Sequence, residues 1–259
     1  MPVTAVIFDL DNTLVPEMAN YQRAFDDAIA PLLASLGVSV EGLRRAVFAA
    51  SGELWLGLPE AGIFARLGIG SPTSLVTDLP GARFDAMRDR LSAYRRESWR
   101  RGLRACGLSD RDDLAGPLDL AFRERQRRFS PPFPDAVAAV RDAASRYRLV
   151  LATNGPGDVQ QRKVEAAGLA PFFPTVIASG DIGHGKPDPR IFAHALAAIG
   201  ANAADAVSVG DSIEKDVAGA RSAGLRSVLV DRTRTTDGGG AERVIGSLGE
   251  LGGALASFG

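Results

Sequence analysis

Two acids one residue apart, Asp9 and Asp11, close a short apolar run and are followed by a hydroxyl at Thr13. Residues 3–8 are β-branched and apolar, bounded by polar positions, so they read as a buried strand. A carboxylate at the C-terminal end of a buried parallel strand lies where open α/β sheets place their ligands. Asp-x-Asp alone carries little weight, because the pair recurs at Asp110-Arg111-Asp112, which reads as a solvated turn. The chemistry further along the chain separates the two.

Later strand ends carry matching chemistry. Residues 148–152 read as a strand that delivers Thr153 and Asn154. Residues 175–179 read as another, and the loop after it holds Gly183-His184-Gly185-Lys186-Pro187-Asp188. A third, residues 206–210, delivers Asp211 and Ser212, with Asp216 one helical turn further on. In a parallel sheet these ends share one edge, so the acids, the hydroxyls and Lys186 converge. Two carboxylates ~4 Å apart repel by about 4 kcal/mol at an effective dielectric near 20. Asp9, Asp11, Asp211 and Asp216 on one edge therefore call for a cation beyond Lys186. Oxygen ligands without a Cys or His cluster suit Mg²⁺ better than zinc. Hydroxyl and amide donors at strand-to-helix turns beside a metal are suited to an anion, and phosphate fits best.

The elements that position these residues follow a simple order. Residues 17–129 show amphipathic helical patterns rather than strands, with Phe25, Ile29, Leu32, Leu33 and Leu36 on one face and Leu43, Val47 and Leu54 on the next. Residues 68–81, rich in Gly, Pro, Ser and Thr, read as a loop within that block. Pro131-Pro132-Phe133-Pro134 marks its end. Strands and helices then alternate: a helix at 159–167 closing at Gly168, one capped by Asp188 with Pro189 at its first position, one at 214–223, and a last strand at 227–230. Gly238-Gly239-Gly240 reads as a flexible linker to a weak C-terminal helix. This alternation predicts an α/β fold: a doubly wound parallel-sheet, Rossmann-like core, residues 1–15 and 130–259, with an inserted all-helical cap domain at 16–129.

With 259 residues, 46% apolar and 24% charged, the chain is long enough for a substantial core and ordinary for a globular protein. A net charge of −1 gives no bulk attraction to nucleic acid or to an anionic membrane. One cysteine, Cys106, excludes an internal disulfide and suits a reducing compartment, and no apolar run approaches the ~18 residues of a membrane span. The expectation is a cytoplasmic protein, monomer or homodimer, whose partner is a small molecule. The arginines from Arg95 to Arg128, ten against six acids between residues 94 and 128, read as a solvated helix face with internal pairs. Trp55 and Trp99 read as anchors of the helical block, His184 as a solvent-facing turn residue and His194 as a surface or core-edge helix residue.

Asp9-Leu10-Asp11-Asn12-Thr13, Thr153-Asn154-Gly155, Lys186-Pro187-Asp188 and Gly210-Asp211-Ser212 through Asp216 resemble, in order, the four motifs of the haloacid dehalogenase (HAD) superfamily. Asp-Asn-Thr-Leu and Thr-Asn-Gly followed by Gln161, Lys163 and Gly168 are similar to its N-acylneuraminate-9-phosphatase and pyrimidine-nucleotidase branch. The resemblance implies Asp9 as nucleophile, forming an aspartyl-phosphate, and Asp11 as general acid and then base. It implies a Mg²⁺ held by Asp9, the backbone carbonyl of Asp11, and Asp211. Leu10, Thr13, Thr153, Asn154 and Lys186 fall at positions that would bind the phosphoryl group, with Lys186 also catalytic. Ser212 and Asp216 would support them, Asp216 by orienting Lys186 or a metal-bound water.

Members that displace halide lack an acid at the second position, because a halide needs no proton. Asp11 fills it here, which favours a phosphate ester with an alkoxide leaving group. Alternatives on the same residues are a phosphomutase or phosphotransferase, or a non-catalytic phosphoryl-binding module. A phosphoryl-accepting receiver domain would carry its acceptor Asp later, in a shorter chain without an inserted block.

Overall fold

The computed structural model describes residues 2–34, 36–77, 79, 84–128 and 130–259. Gly81 and Phe129, which bound two of the segments expected from the sequence, lie outside the described residues. The chain divides into two compact units, Met1–Glu17 with Pro131–Gly259, and Met18–Ser130.

The first unit is built on six parallel strands: β1 (Ala5–Phe8), β2 (Arg148–Thr153), β3 (Val176–Ala178), β4 (Ala206–Gly210), β5 (Arg226–Val230) and β6 (Arg243–Ile245), in the order β3-β2-β1-β4-β5-β6. Strand β1 is central, pairing Phe8 with Leu151 on one side and Val209 on the other. That register sets Asp9 and Asp11 between the ends of β2 and β4. The order reverses direction on either side of β1, the switch point at which such sheets bind ligands.

The second unit has helices and no strand among its described residues: α1 (Glu17–Leu33, whose first residue belongs to the sheet unit), α2 (Val40–Leu56), α3 (Ala61–Leu67), α4 (Ser71–Val76), α5 (Arg88–Ala105) and α6 (Ala115–Arg128), with short 3₁₀ turns. Ser39 caps α2, its hydroxyl accepting from Gly42 N at 3.0 Å. The core is aromatic: Trp99 stacks on Phe25 with centroids 5.2 Å apart, and Trp55 on Phe64 at 4.3 Å. Both tryptophans are buried, as the helical pattern anticipates. Gly102 of α5 lets α2 approach so closely that a Cβ there would lie 2.3 Å from Val47 Cγ2. The arginine-rich helices carry the expected pairs Arg101 with Glu97, Arg104 with Asp112 and Arg123 with Asp119, and Arg125 reaches Asp27 of α1. Arg95, expected on the solvated face, is buried and donates to Thr77 O at 2.9 Å. Leu32, expected on the apolar face of α1, is instead exposed, while Leu33 next to it is buried.

Around the sheet lie α7 (Ala136–Ala144), α8 (Gly157–Ala166), α9 (Ser179–Ile182), α10 (Pro189–Ile199), α11 (Gly219–Ser222) and α12 (Leu251–Ala256). Strand alternation divides the core in two. Val6 and Phe8 face one layer with Val140, Val164, Leu251 and Leu255. Ala5 and Ile7 face the other with Ile191, Phe192, Ala195 and Ala220. The sheet is therefore covered on both faces, a doubly wound α/β fold. Asp188 caps α10 by accepting from Arg190 N, with Pro189 in the first turn.

Three further expectations need correction. Strand 227–230 is not the last, because β6 adds to the edge beyond it. The glycines at 238–240 are a defined turn with φ of 85°, 54° and 89°, each in the left-handed region. Within the segment read as a loop, Ser71–Val76 forms a helix because Leu75 and Val76 are buried in the helical core. Among the described residues, no helix is long and apolar enough to cross a membrane.

Candidate active site

Each strand of the central trio ends in a functional side chain, and the turns after them decide where it points. Asp9 continues β1, its N–H donating to Val209 O at 2.8 Å. The chain then folds back: Leu14 N and Val15 N both donate to Leu10 O, and Asn12 sits at φ 63°, a conformation Asn tolerates better than most residues. This tight turn buries Leu10 and Leu14 in the core and returns the Thr13 hydroxyl to Asp9 Oδ2 at 3.0 Å and to Asp211 Oδ1 at 3.4 Å. With its side chain buried, Leu10 can face a ligand only through its backbone.

The lysine loop reaches the same point. Lys186 Nζ donates to Asp9 Oδ1 at 2.5 Å and to Asp216 Oδ1 at 2.6 Å. Asn154 holds the loop by its backbone: its amide donates to Lys186 O at 2.9 Å and accepts from Lys186 N at 2.7 Å. The bond from Lys186 to Pro187 is cis.

After β4, residues Ile213–Ala218 form a π-helical turn, not the regular helix expected from 214, and both Asp216 N and Val217 N donate to Ser212 O. Such wide turns gather at functional sites. Here the turn brings Asp216 back over the strand end, where Oδ2 accepts from Ser212 N at 3.0 Å. Gly210 makes room for it; a Cβ there would lie 2.2 Å from Asp216 Cγ. The Ser212 hydroxyl caps the turn by accepting from Lys215 N.

Carboxylate oxygens of Asp9, Asp211 and Asp216 lie within 4.8 Å of one another. Burial, together with Asp216 and Asp211, pushes Asp9 up to about 8 against the pull of Lys186. Burial and Asp216 push Asp211 up to about 6. For Lys186, burial favours the neutral amine, but Asp216 and Asp9 outweigh it and hold the ammonium above the usual lysine range. Three acids against one ammonium leave an excess of negative charge. An all-oxygen cluster of this kind fits a hard divalent cation.

Asp11 points elsewhere. Its Oδ1 accepts from Lys163 Nζ at 2.7 Å and its Oδ2 from Gln160 Nε2 at 2.8 Å. Lys163 also donates to Glu17 at 2.6 Å, and Gln160 to the fully buried Thr153 hydroxyl. Burial and the nearby Asp11 raise Glu17 above the usual carboxylate range, against Lys163. The side chain of Asp11 is thus outside the three-acid cluster, which leaves its backbone carbonyl as the atom it can offer a metal.

The acids, hydroxyls, Asn154 and Lys186 expected at the site therefore meet at one end of the sheet, whereas Gln161 is exposed and donates to Glu165 at 2.9 Å. Gln160 and Glu17 carry no legible signal of a role beforehand. The one available clue is the spacing of Gln160 and Lys163, three residues apart on one face of α8 directly after Thr153-Asn154.

A doubly wound sheet whose central strand ends in an acid, flanked by Thr153, Lys186 and Asp211 from its neighbours, defines a hydrolase of the haloacid dehalogenase type. Residues 3–224 match the family model of haloacid dehalogenase-like hydrolases, and the chain belongs to that family. It is 34% identical over 230 residues to a phosphoserine phosphatase of Thermus thermophilus, covering 88% of each chain. An N-acylneuraminate-9-phosphatase of Rattus norvegicus is 34% identical over 95 residues, 37% of this chain and 38% of that protein. Among solved structures, a HAD-hydrolase from Bacillus subtilis crystallised with magnesium shares the fold, with a TM-score of 0.67 at 18% identity over 98% of this chain and 99% of that one.

Proposed function

We propose that the protein is a Mg²⁺-dependent phosphohydrolase that cleaves a small-molecule phosphate monoester through an aspartyl-phosphate on Asp9. The observation that carries this reading is the separation of the two neighbouring acids. Asp9 faces Lys186 and the acid cluster, whereas Asp11 is held apart from it by Lys163 and Gln160. That separation supports Asp9 as the acid that attacks and Asp11 as the one that moves protons.

Asp9, Asp211 and the backbone carbonyl of Asp11 would hold the Mg²⁺. The ion would neutralise the phosphoryl oxygens and the crowded carboxylates. An oxygen of Asp9 attacks phosphorus while the bond to the ester oxygen breaks, and Asp11 gives its proton to the departing alkoxide. Asp11 then takes a proton from water, whose oxygen attacks phosphorus, and the bond to Asp9 breaks to release phosphate. Lys186, held by Asp9 and Asp216, offsets charge on the transferring group, and Thr13 steadies Asp9. Asn154 contributes by fixing the backbone of Lys186.

The presence of Asp11 supports an ester over a halide, as does the phosphatase named above that matches 88% of its own length. The helical block at residues 16–129 is proposed as the cap that selects the rest of the substrate. Phosphate release is to be followed over O-phosphoserine, sugar phosphates and nucleoside monophosphates, with Mg²⁺, with EDTA and in Asp9→Asn. Turnover that needs the metal and vanishes in Asp9→Asn supports the mechanism, and the preferred ester defines the substrate class. A folded protein that releases phosphate from none of them refutes it.

A further inference from the structure

The catalytic scheme gives no task to Gln160, Lys163 and Glu17, although hydrogen bonds join them to Asp11 and Thr153. Thr153, Gln160, Asp11, Lys163 and Glu17 are linked in sequence by hydrogen bonds, and Gln160 and Lys163 are among the most buried polar residues of the sheet unit. Packing alone does not call for them. An apolar side chain of similar length would fill the space beside Val159 and Val164 without the desolvation that a buried ammonium and amide incur.

We infer that Lys163 and Gln160 are positioning residues for Asp11, fixing its carboxyl where a leaving oxygen must receive a proton; this presupposes the phosphatase reading above. Both carboxyl oxygens of Asp11 are engaged from one face of α8, by residues three apart. Glu17, beside Asp11, accepts from the same ammonium, so Lys163 is shared by two acids and cannot swing away from Asp11 without leaving Glu17 too.

Gln160 shows that the donor side matters. Its Nε2 serves both Asp11 and Thr153, while its Oε1 is buried with no hydrogen-bond partner among the described residues. Rotating the amide would set Oε1 against a carboxylate oxygen, so the contact to Asp11 fixes the orientation even though the carbonyl is left unpaired. Asp9, two residues earlier, uses a different cation and a hydroxyl. The clamp is specific to the acid that moves protons.

Proton donation is sensitive to placement: the donor has to lie within about 3 Å of the leaving oxygen. When the ester bond breaks, its electron pair stays on that oxygen. An alkoxide then needs the proton from Asp11, whereas p-nitrophenolate is stable without it. The test compares kcat/KM for an alkyl phosphate and for p-nitrophenyl phosphate, both with Mg²⁺, in Lys163→Met, Lys163→Arg and Gln160→Leu. Loss of positioning lowers the alkyl value by about 10²-fold or more and the aryl value by less than about tenfold. Lys163→Arg restores part of the alkyl rate. Equal losses on both esters would assign the clamp a structural role only and overturn the inference, as would an unchanged alkyl rate. If Lys163→Met does not fold, Gln160→Leu, which keeps both ion pairs, decides by the same ratio. Absence of turnover on both esters in the unaltered protein would instead refute the phosphatase reading itself.

Discussion

Replacing Gly210 with alanine tests how the acid cluster is assembled without touching a charged group. Gly210 ends β4 with extended backbone outside the left-handed region, so an alanine backbone is accommodated there. The added methyl is not: it would sit 2.2 Å from Cγ, 2.4 Å from Oδ2 and 2.5 Å from Cβ of Asp216. Carbon atoms pack at about 3.5–4.0 Å, so the carboxyl has to retreat by roughly 1 Å or more. That movement breaks the 2.6 Å bond to Lys186 and the 3.0 Å bond from Ser212 N. Overpacking of this kind costs about 1–3 kcal/mol of stability, and misplacement of about 1 Å beside the reacting groups lowers kcat by roughly 10²-fold. Urea unfolding and phosphate release on the preferred ester measure the two effects. Combining Gly210→Ala with Asp216→Gly removes every atom in the clash, so the double variant regains stability relative to Gly210→Ala while remaining slow. Full activity in Gly210→Ala, or no recovery of stability in the double variant, would refute the reasoning.

Three further outcomes are expected from the geometry. Asp9 is raised from 3.8 to about 8 mainly by burial, so in EDTA its ionisation opposes folding. The folded state binds the extra proton between those values, so stability falls as pH rises from about 4 to 8 and the loss is complete above. Asp9→Asn lacks this dependence: its urea midpoint should overtake that of the unaltered protein across the window, and a constant difference would contradict the assignment. Lys186→Met leaves buried Asp9 and Asp216 without their shared cation; kcat/KM should fall by about 10²–10³-fold, with a loss of about 3–5 kcal/mol in urea unfolding of the metal-free protein. Gly102→Ala forces a methyl to 2.3 Å from Val47 Cγ2 and 3.1 Å from Val47 Cα, destabilising the helical unit by about 1–3 kcal/mol. Val47→Ala should recover only part of this in thermal unfolding, because the backbone contact remains.

The catalytic edge was legible because it depends on strand ends, and buried strands announce themselves. The runs before Asp9, Thr153 and Asp211 are short and largely apolar, and parallel pairing then brings their ends together. Strand β6 gave no such signal: two of its three residues are exposed, Val244 at 46%, as on a sheet edge. Gly238-Gly239-Gly240 looks flexible in composition, yet Gly239 is needed where a Cβ would lie 2.2 Å from Ile213 Cγ2. Helix α4 contains Pro72, Thr73 and Ser74, poor helix formers in its interior apart from the first-turn proline, and burial of Leu75 and Val76 decides its form. Local composition was misleading wherever a distant contact set the conformation.

The same distinction accounts for Asp9 and Asp11. Spacing tells that they lie two residues apart at a strand end, and therefore near each other. It does not tell that they answer to different cations. Because the turn at Asn12 reverses the chain immediately after them, Asp9 stays over β4 with Lys186 and Asp216, while Asp11 leans toward α8 with Lys163 and Gln160. Two like charges this close would otherwise share one environment and one role. Assigning a separate lysine to each lets one carboxyl serve as nucleophile in a crowded acid cluster and the other exchange protons outside it. Exchanging the two cations' partners, not removing either acid, is what would collapse the division. In Lys163→Met the loss should therefore follow the basicity of the leaving group, whereas in Lys186→Met it should be equal for alkyl and aryl esters, a contrast that steady-state kinetics on two substrates can read directly.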